Sequence, residues 1–136
     1  MEPLNNSTDP IYTALVVDDN FYNRQIFHIA LESVGYTVSE SEDGVQGTTL
    51  LDTQTFHILI LDLQMPTLDG RAVLQIVKAN PLHKNMRVIV VTANAHMATD
   101  DIDQMADYIM HKPIDVVEFS EFVSRLKRTP VSPAHD

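Results

Sequence analysis

The feature that most constrains this chain is the way its short apolar runs end. Ala14-Leu15-Val16-Val17 stops at Asp18-Asp19, and Ile58-Leu59-Ile60-Leu61 stops at Asp62. Val88-Ile89-Val90-Val91 stops at Thr92, and Tyr108-Ile109-Met110 runs into His111-Lys112. Runs of this length, rich in Val and Ile, fit strands covered on both faces, which is how a parallel sheet reads. Thr37-Val38-Ser39-Glu40 alternates instead, as a half-exposed edge strand does. Between the runs the spacing turns helical. Phe27, Leu31 and Val34 fall on one face, with Gly35 as the expected C-cap. Val73, Ile76 and Val77 follow Asp69-Gly70, and the helix must end before Pro81. Val116, Phe119, Val123 and Leu126 form the last stripe; Asp115 and Glu118 suit its start, and Arg125, Lys127 and Arg128 suit its end. Two helices carry weaker signals: 44–53, diluted by Gly47, Thr48 and Thr49, and 94–106, with only Ala98, Ile102 and Met105 as its stripe. Strands alternating with helices five times over imply right-handed crossovers and an α/β, doubly wound, five-stranded parallel sheet.

Composition bounds the partners. The chain has 136 residues, one domain's worth, and its nine Lys and Arg stand against nineteen Asp and Glu for a net charge of −10. That balance argues against a nucleic-acid surface, which needs clustered positive charge. With no cysteine, thiol nucleophiles, disulfides and thiolate metal sites are excluded. The start MEPLNNSTDP lacks a signal-peptide profile, and no apolar stretch approaches the ~20 residues that cross a bilayer. The expectation is a small cytoplasmic domain over 12–128 between polar tails at 1–11 and 129–136, with neither nucleic acid nor membrane as partner. The six histidines show no ligand-like spacing, and the acidic run Asp100, Asp101, Asp103 and Asp107 reads as a solvated face.

Ligands of doubly wound sheets bind outside the carboxyl ends of the strands, and those ends here carry Asp18, Asp19, Asp62, Thr92 and Lys112. Carboxylates gathered there repel one another and raise each other's pKa. A hard divalent cation resolves the repulsion, and oxygen ligands are what Mg²⁺ prefers. A neighbouring lysine can bind an incoming anion and a threonine hydroxyl can donate to it. Together these point to phosphoryl chemistry with a carboxylate nucleophile. Spacing carries the argument no further.

The stretches VVDDN at 16–20, LDLQMPTLDG at 61–70, VTANA at 91–95 and HKP at 111–113 closely resemble the receiver domains of two-component response regulators, over roughly residues 12–128. The resemblance implies the flavodoxin-like strand order 2-1-3-4-5, the first strand central and helices on both faces. It implies that Asp62 is the phospho-acceptor, attacking a phosphohistidine on a histidine kinase or histidine phosphotransfer protein. Asp19 would ligate Mg²⁺ directly, Asp18 through water, and the Gln64 carbonyl and Asp62 would complete the protein's ligands. Lys112 and Thr92 would bind phosphoryl oxygens, with the Ala93 amide as a further donor. Pro113 would follow a cis peptide bond, Gly70 would occupy a turn cheap only for glycine, and Gln64 and Asn94 would flank the path of hydrolytic water.

Two departures from the family stand out. Thr92 to Lys112 spans 112 − 92 = 20 positions, shorter than usual, so the fourth helix should be short or irregular. The family's switch aromatic lies three residues before the lysine, where this chain has Ile109; Tyr108 is one residue earlier. Only about eight residues follow the last helix, so the expectation is a receiver without an attached output domain, signalling to an unknown downstream protein by contact or phosphorelay. It would catalyse its own phosphorylation and dephosphorylation without being a conventional turnover enzyme. The alternatives are a receiver-fold docking module that works without phosphorylation, and a haloacid-dehalogenase-type hydrolase. The hydrolase wants a second Asp two residues after the nucleophile, where Gln64 stands.

Overall fold

The computed structural model describes residues 10–65 and 68–127. Five strands, β1 (Tyr12–Val17), β2 (Tyr36–Ser41), β3 (Ile58–Asp62), β4 (Arg87–Thr92) and β5 (Tyr108–His111), pair in parallel in the order β2-β1-β3-β4-β5. Five helices alternate with them: α1 (Phe21–Ser33), α2 (Gly44–Thr53), α3 (Gly70–Ala79), α4 (Asp100–Met105) and α5 (Val116–Leu126). Short 3₁₀ turns occupy Pro81–His83 and Ala95–Met97. The doubly wound sheet is as expected, except that β3 is the middle strand and β1 lies beside it. The order reverses between β1 and β3, which opens a crevice between their carboxyl ends. Apart from Pro10 and Ile11, the expected polar tails lie outside the described residues.

Alternation along each strand divides the core in two, although the central runs 14–17, 58–61 and 88–91 are apolar on both faces. Leu15, Val17, Leu59, Leu61, Val88 and Val90 pack against Leu51 of α2, Val73, Leu74 and Val77 of α3, and Ile102 of α4. Ala14, Val16, Ile58, Ile60, Ile89 and Val91 pack on the other side against Phe27, Ala30 and Leu31 of α1 and Phe119, Val123 and Leu126 of α5. β2 sits at the sheet edge, as its alternating sequence predicts.

Local details depart from the sequence pattern where packing overrides it. Ile76 is exposed and Leu74 takes its place in the core, while Val116 leaves the α5 stripe to solvent. α2 forms despite weak propensity because its glycines permit contact: a Cβ at Gly44 would lie 2.3 Å from the Leu68 carbonyl oxygen, and one at Gly47 would lie 3.0 Å from Val17 Cγ2. α1 ends as expected, with Gly35 at φ +99°, a conformation that favours glycine. α4 is only six residues long. The acidic run is not simply a solvated face. Asp101 pairs with Arg71 of α3, and Asp107 Oδ2 accepts the Val88 amide at 2.7 Å, tying the start of β5 to β4.

Candidate functional site

β1 and β3 end at the crevice, which brings there Asp18 and Asp19, just after β1, and Asp62, the last residue of β3. At the end of β1, Asn20 rather than either aspartate caps α1, its Oδ1 accepting the Asn23 amide at 2.9 Å. The adjacent acids are thereby left to the crevice. Asp18 is buried and Asp19 exposed, and Asp62, the last residue of β3, is buried. Carboxylate oxygens of Asp18, Asp19 and Asp62 all lie within 4.8 Å of one another.

Lys112 closes one side of this cluster. Its Nζ is 3.4 Å from Asp18 Oδ2 and 3.6 Å from Asp62 Oδ2, and its amide donates to the Thr92 carbonyl at 2.9 Å. The Lys112–Pro113 peptide is cis, in line with the resemblance. Asp62 Oδ1 accepts the Gln64 amide at 3.1 Å. Burial pushes the Asp62 carboxyl up to about 6, and the Asp18 and Asp19 charges add to the rise; the Gln64 amide and Lys112 oppose it without cancelling it. Burial raises Asp18 as well, against the Asn20 amide and Lys112. One lysine does not neutralise three acids. Closely set hard oxygen donors whose charged forms are disfavoured are a fitting site for Mg²⁺.

The other expected site residues are arranged less simply. Thr92 is fully buried at the end of β4, but its hydroxyl is engaged with the Asn94 backbone, donating to the carbonyl at 3.1 Å and accepting the amide at 3.0 Å. Asn94 is itself a cap, its Oδ1 accepting the His96 amide at 2.9 Å. Ala93 is exposed and shares with Lys112, Asn23, Ile26 and Phe27 the wall of a cavity of about 390 Å³ beside the cluster. Gln64 is exposed, and Pro66 and Thr67 of the motif lie outside the described residues. Gly70 has no positive φ; glycine is required there because a Cβ would lie 2.5 Å from the Asp62 carbonyl oxygen and 2.6 Å from Leu63 Cα.

The register of β5 is regular, with Val90 opposite Ile109 and Thr92 opposite His111. Ile109 therefore faces the α2–α3–α4 layer, and Tyr108 faces α5. The Tyr108 ring meets Phe122 edge-on at 4.8 Å, and its hydroxyl accepts from Arg87 at 3.1 Å. Sequence reasoning passed over Arg24, a buried cation whose Nη1 donates to the Asp18 carbonyl at 2.8 Å. No periodicity marks a charged residue on the buried side of α1.

Residues 14–124 match the family model of the response regulator receiver domain. The probable chemotaxis protein CheY of Rhizobium etli is 35% identical over 85 residues, covering 62% of this chain and 66% of that protein. Response regulator protein TrrA from Thermotoga maritima, solved in complex with Mg²⁺-BeF, superposes with a TM-score of 0.76 at 27% identity, covering 85% of this chain and 99% of that one. A receiver domain from Methylobacillus flagellatus superposes at 0.78 with 20% identity, covering 86% and 99% of the two chains, a likeness of fold. The chain spans under two thirds of the curated relatives it matches, from 66% of the R. etli protein down to 6% of a hybrid signal transduction histidine kinase from Dictyostelium discoideum.

Proposed function

Because the chain belongs to the receiver domain family of two-component response regulators, we propose that it accepts a phosphoryl group on Asp62 from a phosphohistidine of a histidine kinase or histidine phosphotransfer protein. The observation that carries this reading is the Asp18–Asp19–Asp62 cluster with Lys112 against it, at the point where the strand order reverses. An Asp62 carboxylate oxygen forms the new bond to phosphorus while the phosphorus–nitrogen bond of the donor breaks. The imidazole nitrogen keeps the electron pair and takes a proton from solvent. Asp62, though raised to about 6, is mostly ionised at pH 7 and so remains a nucleophile. Asp19 and Asp62 would hold Mg²⁺ directly, Asp18 through water, with the Gln64 carbonyl beside them; the ion supplies charge neutralisation for the carboxylates and the transferring phosphoryl oxygens.

Lys112, whose Nζ lies 3.6 Å from Asp62 Oδ2, would exchange that contact for a phosphoryl oxygen. The Thr92 hydroxyl must first give up its donation to the Asn94 carbonyl, so its engagement would pull on the loop that leads to α4. Output would then run to a downstream protein through that loop and the short α4, by contact or phosphorelay. With Ile109 in the place of the switch aromatic and Tyr108 held against α5, coupling through an aromatic ring is muted.

Beryllofluoride with Mg²⁺ tests both statements. One equivalent per chain is expected to bind, with a change in amide hydrogen exchange over residues 93–106. No binding would favour a docking module that works without phosphorylation. Rapid turnover of many equivalents of acetyl phosphate with no phosphorylated chain accumulating would favour a hydrolase. Tyr108→Ala is expected to keep the exchange change and Ile109→Ala to alter it; loss of the change in Tyr108→Ala alone would restore the aromatic switch.

A further inference from the structure

We propose that Arg24 is a positioning residue for the metal pocket, fixing the Asp18–Asp19 peptide through a clamp whose other jaw is Glu40. The inference rests on the reading that Asp18, Asp19 and Asp62 hold Mg²⁺. Each polar atom of Asp18 has a partner. Its amide donates to the Ser41 carbonyl at 3.2 Å, Oδ1 accepts the Asn20 amide at 2.8 Å, and Oδ2 faces Lys112 at 3.4 Å. The carbonyl, last of the four, accepts Arg24 Nη1 at 2.8 Å.

Arg24 is 9% exposed, and a buried guanidinium is tolerated only when paired. Its Nε donates to Glu40 Oε1 at 3.1 Å, across from α1 to the edge strand β2. Glu40 is held in turn by the Gln25 side chain, whose Nε2 donates to Oε2 at 3.3 Å, and by His28 Nδ1 at 2.6 Å. The planar guanidinium with its forked donors can bridge a carbonyl and a carboxylate at once, whereas a lysine ammonium offers a single point.

The Asp18 carbonyl and the Asp19 amide lie in one peptide plane, so holding the first sets the direction in which Asp19 leaves β1. Asp19 is exposed and its aim depends on that backbone. Mg²⁺ demands near-ideal octahedral geometry, so a misdirected ligand weakens binding even when the fold is intact. Glu40 compensates the Arg24 charge, so loss of Arg24 removes positioning and relieves little repulsion.

Mn²⁺ binding to the full chain, followed by electron paramagnetic resonance well below the melting temperature, tests this, with circular dichroism reporting the fold. Arg24→Gln is expected to weaken binding about tenfold, the low end for partners that orient metal ligands. Arg24→Lys, milder for folding, should lie between that variant and the parent. Glu40→Gln should weaken binding about threefold in the parent background and not further in Arg24→Gln, because Glu40 acts through Arg24. Affinity within twofold of the parent in folded Arg24→Gln or Arg24→Lys, or tighter binding in either, would overturn the proposal. So would a Glu40→Gln effect that persists without Arg24. Asp19→Asn separates the two levels. If it binds as the parent does, the metal reading itself fails; if it loses binding while Arg24→Gln keeps it, only the positioning role fails.

Discussion

Asp62→Asn is expected to give a folded protein that takes no acid-labile, hydroxylamine-sensitive phosphate from any phosphohistidine donor, and that is more stable than the parent in metal-free buffer at pH 7. The first outcome follows from removing the nucleophilic charge while keeping the shape of the side chain. The second follows from burial. The folded-state pKa of about 6 lies above the ordinary 3.8, so the folded protein holds this proton more tightly than the unfolded chain. The stability this contributes is fully present below about pH 4 and is lost as pH rises through 6. About two units of difference at ~1.4 kcal/mol each make the ionised carboxylate cost roughly 3 kcal/mol at pH 7. Asparagine has no charge to desolvate. Urea unfolding in EDTA should therefore show a gap of about 3 kcal/mol between variant and parent at pH 7 that closes towards pH 4. Mg²⁺ should narrow the gap at pH 7 by stabilising the parent. Labelling that persists on another aspartate would remove Asp62 from its role, and a gap independent of pH would refute its burial as a charge.

Gly70→Ala is expected to destabilise the fold by on the order of 3 kcal/mol, the upper part of the usual overpacking range. The added methyl carbon would sit 2.5 Å from the Asp62 carbonyl oxygen and 2.6 Å from Leu63 Cα, and backbone atoms cannot rotate aside as a side chain can. Gly70 opens α3, and its amide donates to the Leu63 carbonyl at 3.2 Å, so the helix start is locked to the turn that carries Asp62. The variant should lose Mg²⁺ affinity along with stability, because the displaced backbone bears a candidate ligand. Thermal unfolding and metal titration check it; a melting temperature like the parent's would mean that α3 withdraws freely from the β3 turn.

The sequence by itself determined the layered architecture and the place of the candidate site. A continuous apolar run that ends in an acid is a local pattern, and it survives folding because burial on both faces and a polar strand end are both read within a few residues. Asp18, Asp19 and Asp62 were legible for that reason, and Thr92 and Lys112 because they too follow apolar runs; the short fourth helix was legible only against the spacing usual in the family. Tertiary structure alone decided what those residues do to one another. Asp18 and Lys112 stand 94 positions apart, and Arg24 and Glu40 stand 16 apart, so their contacts depend on which strands become neighbours. The same holds for Leu74 replacing Ile76 in the core, and for Ile109 rather than Tyr108 facing α4. Periodicity says that a side chain has a face; only the packed neighbour says which face is inside. The raised Asp62 carboxyl is likewise a property of the assembled crevice, since burial and the Asp18 and Asp19 charges act on it only after β1 and β3 have paired.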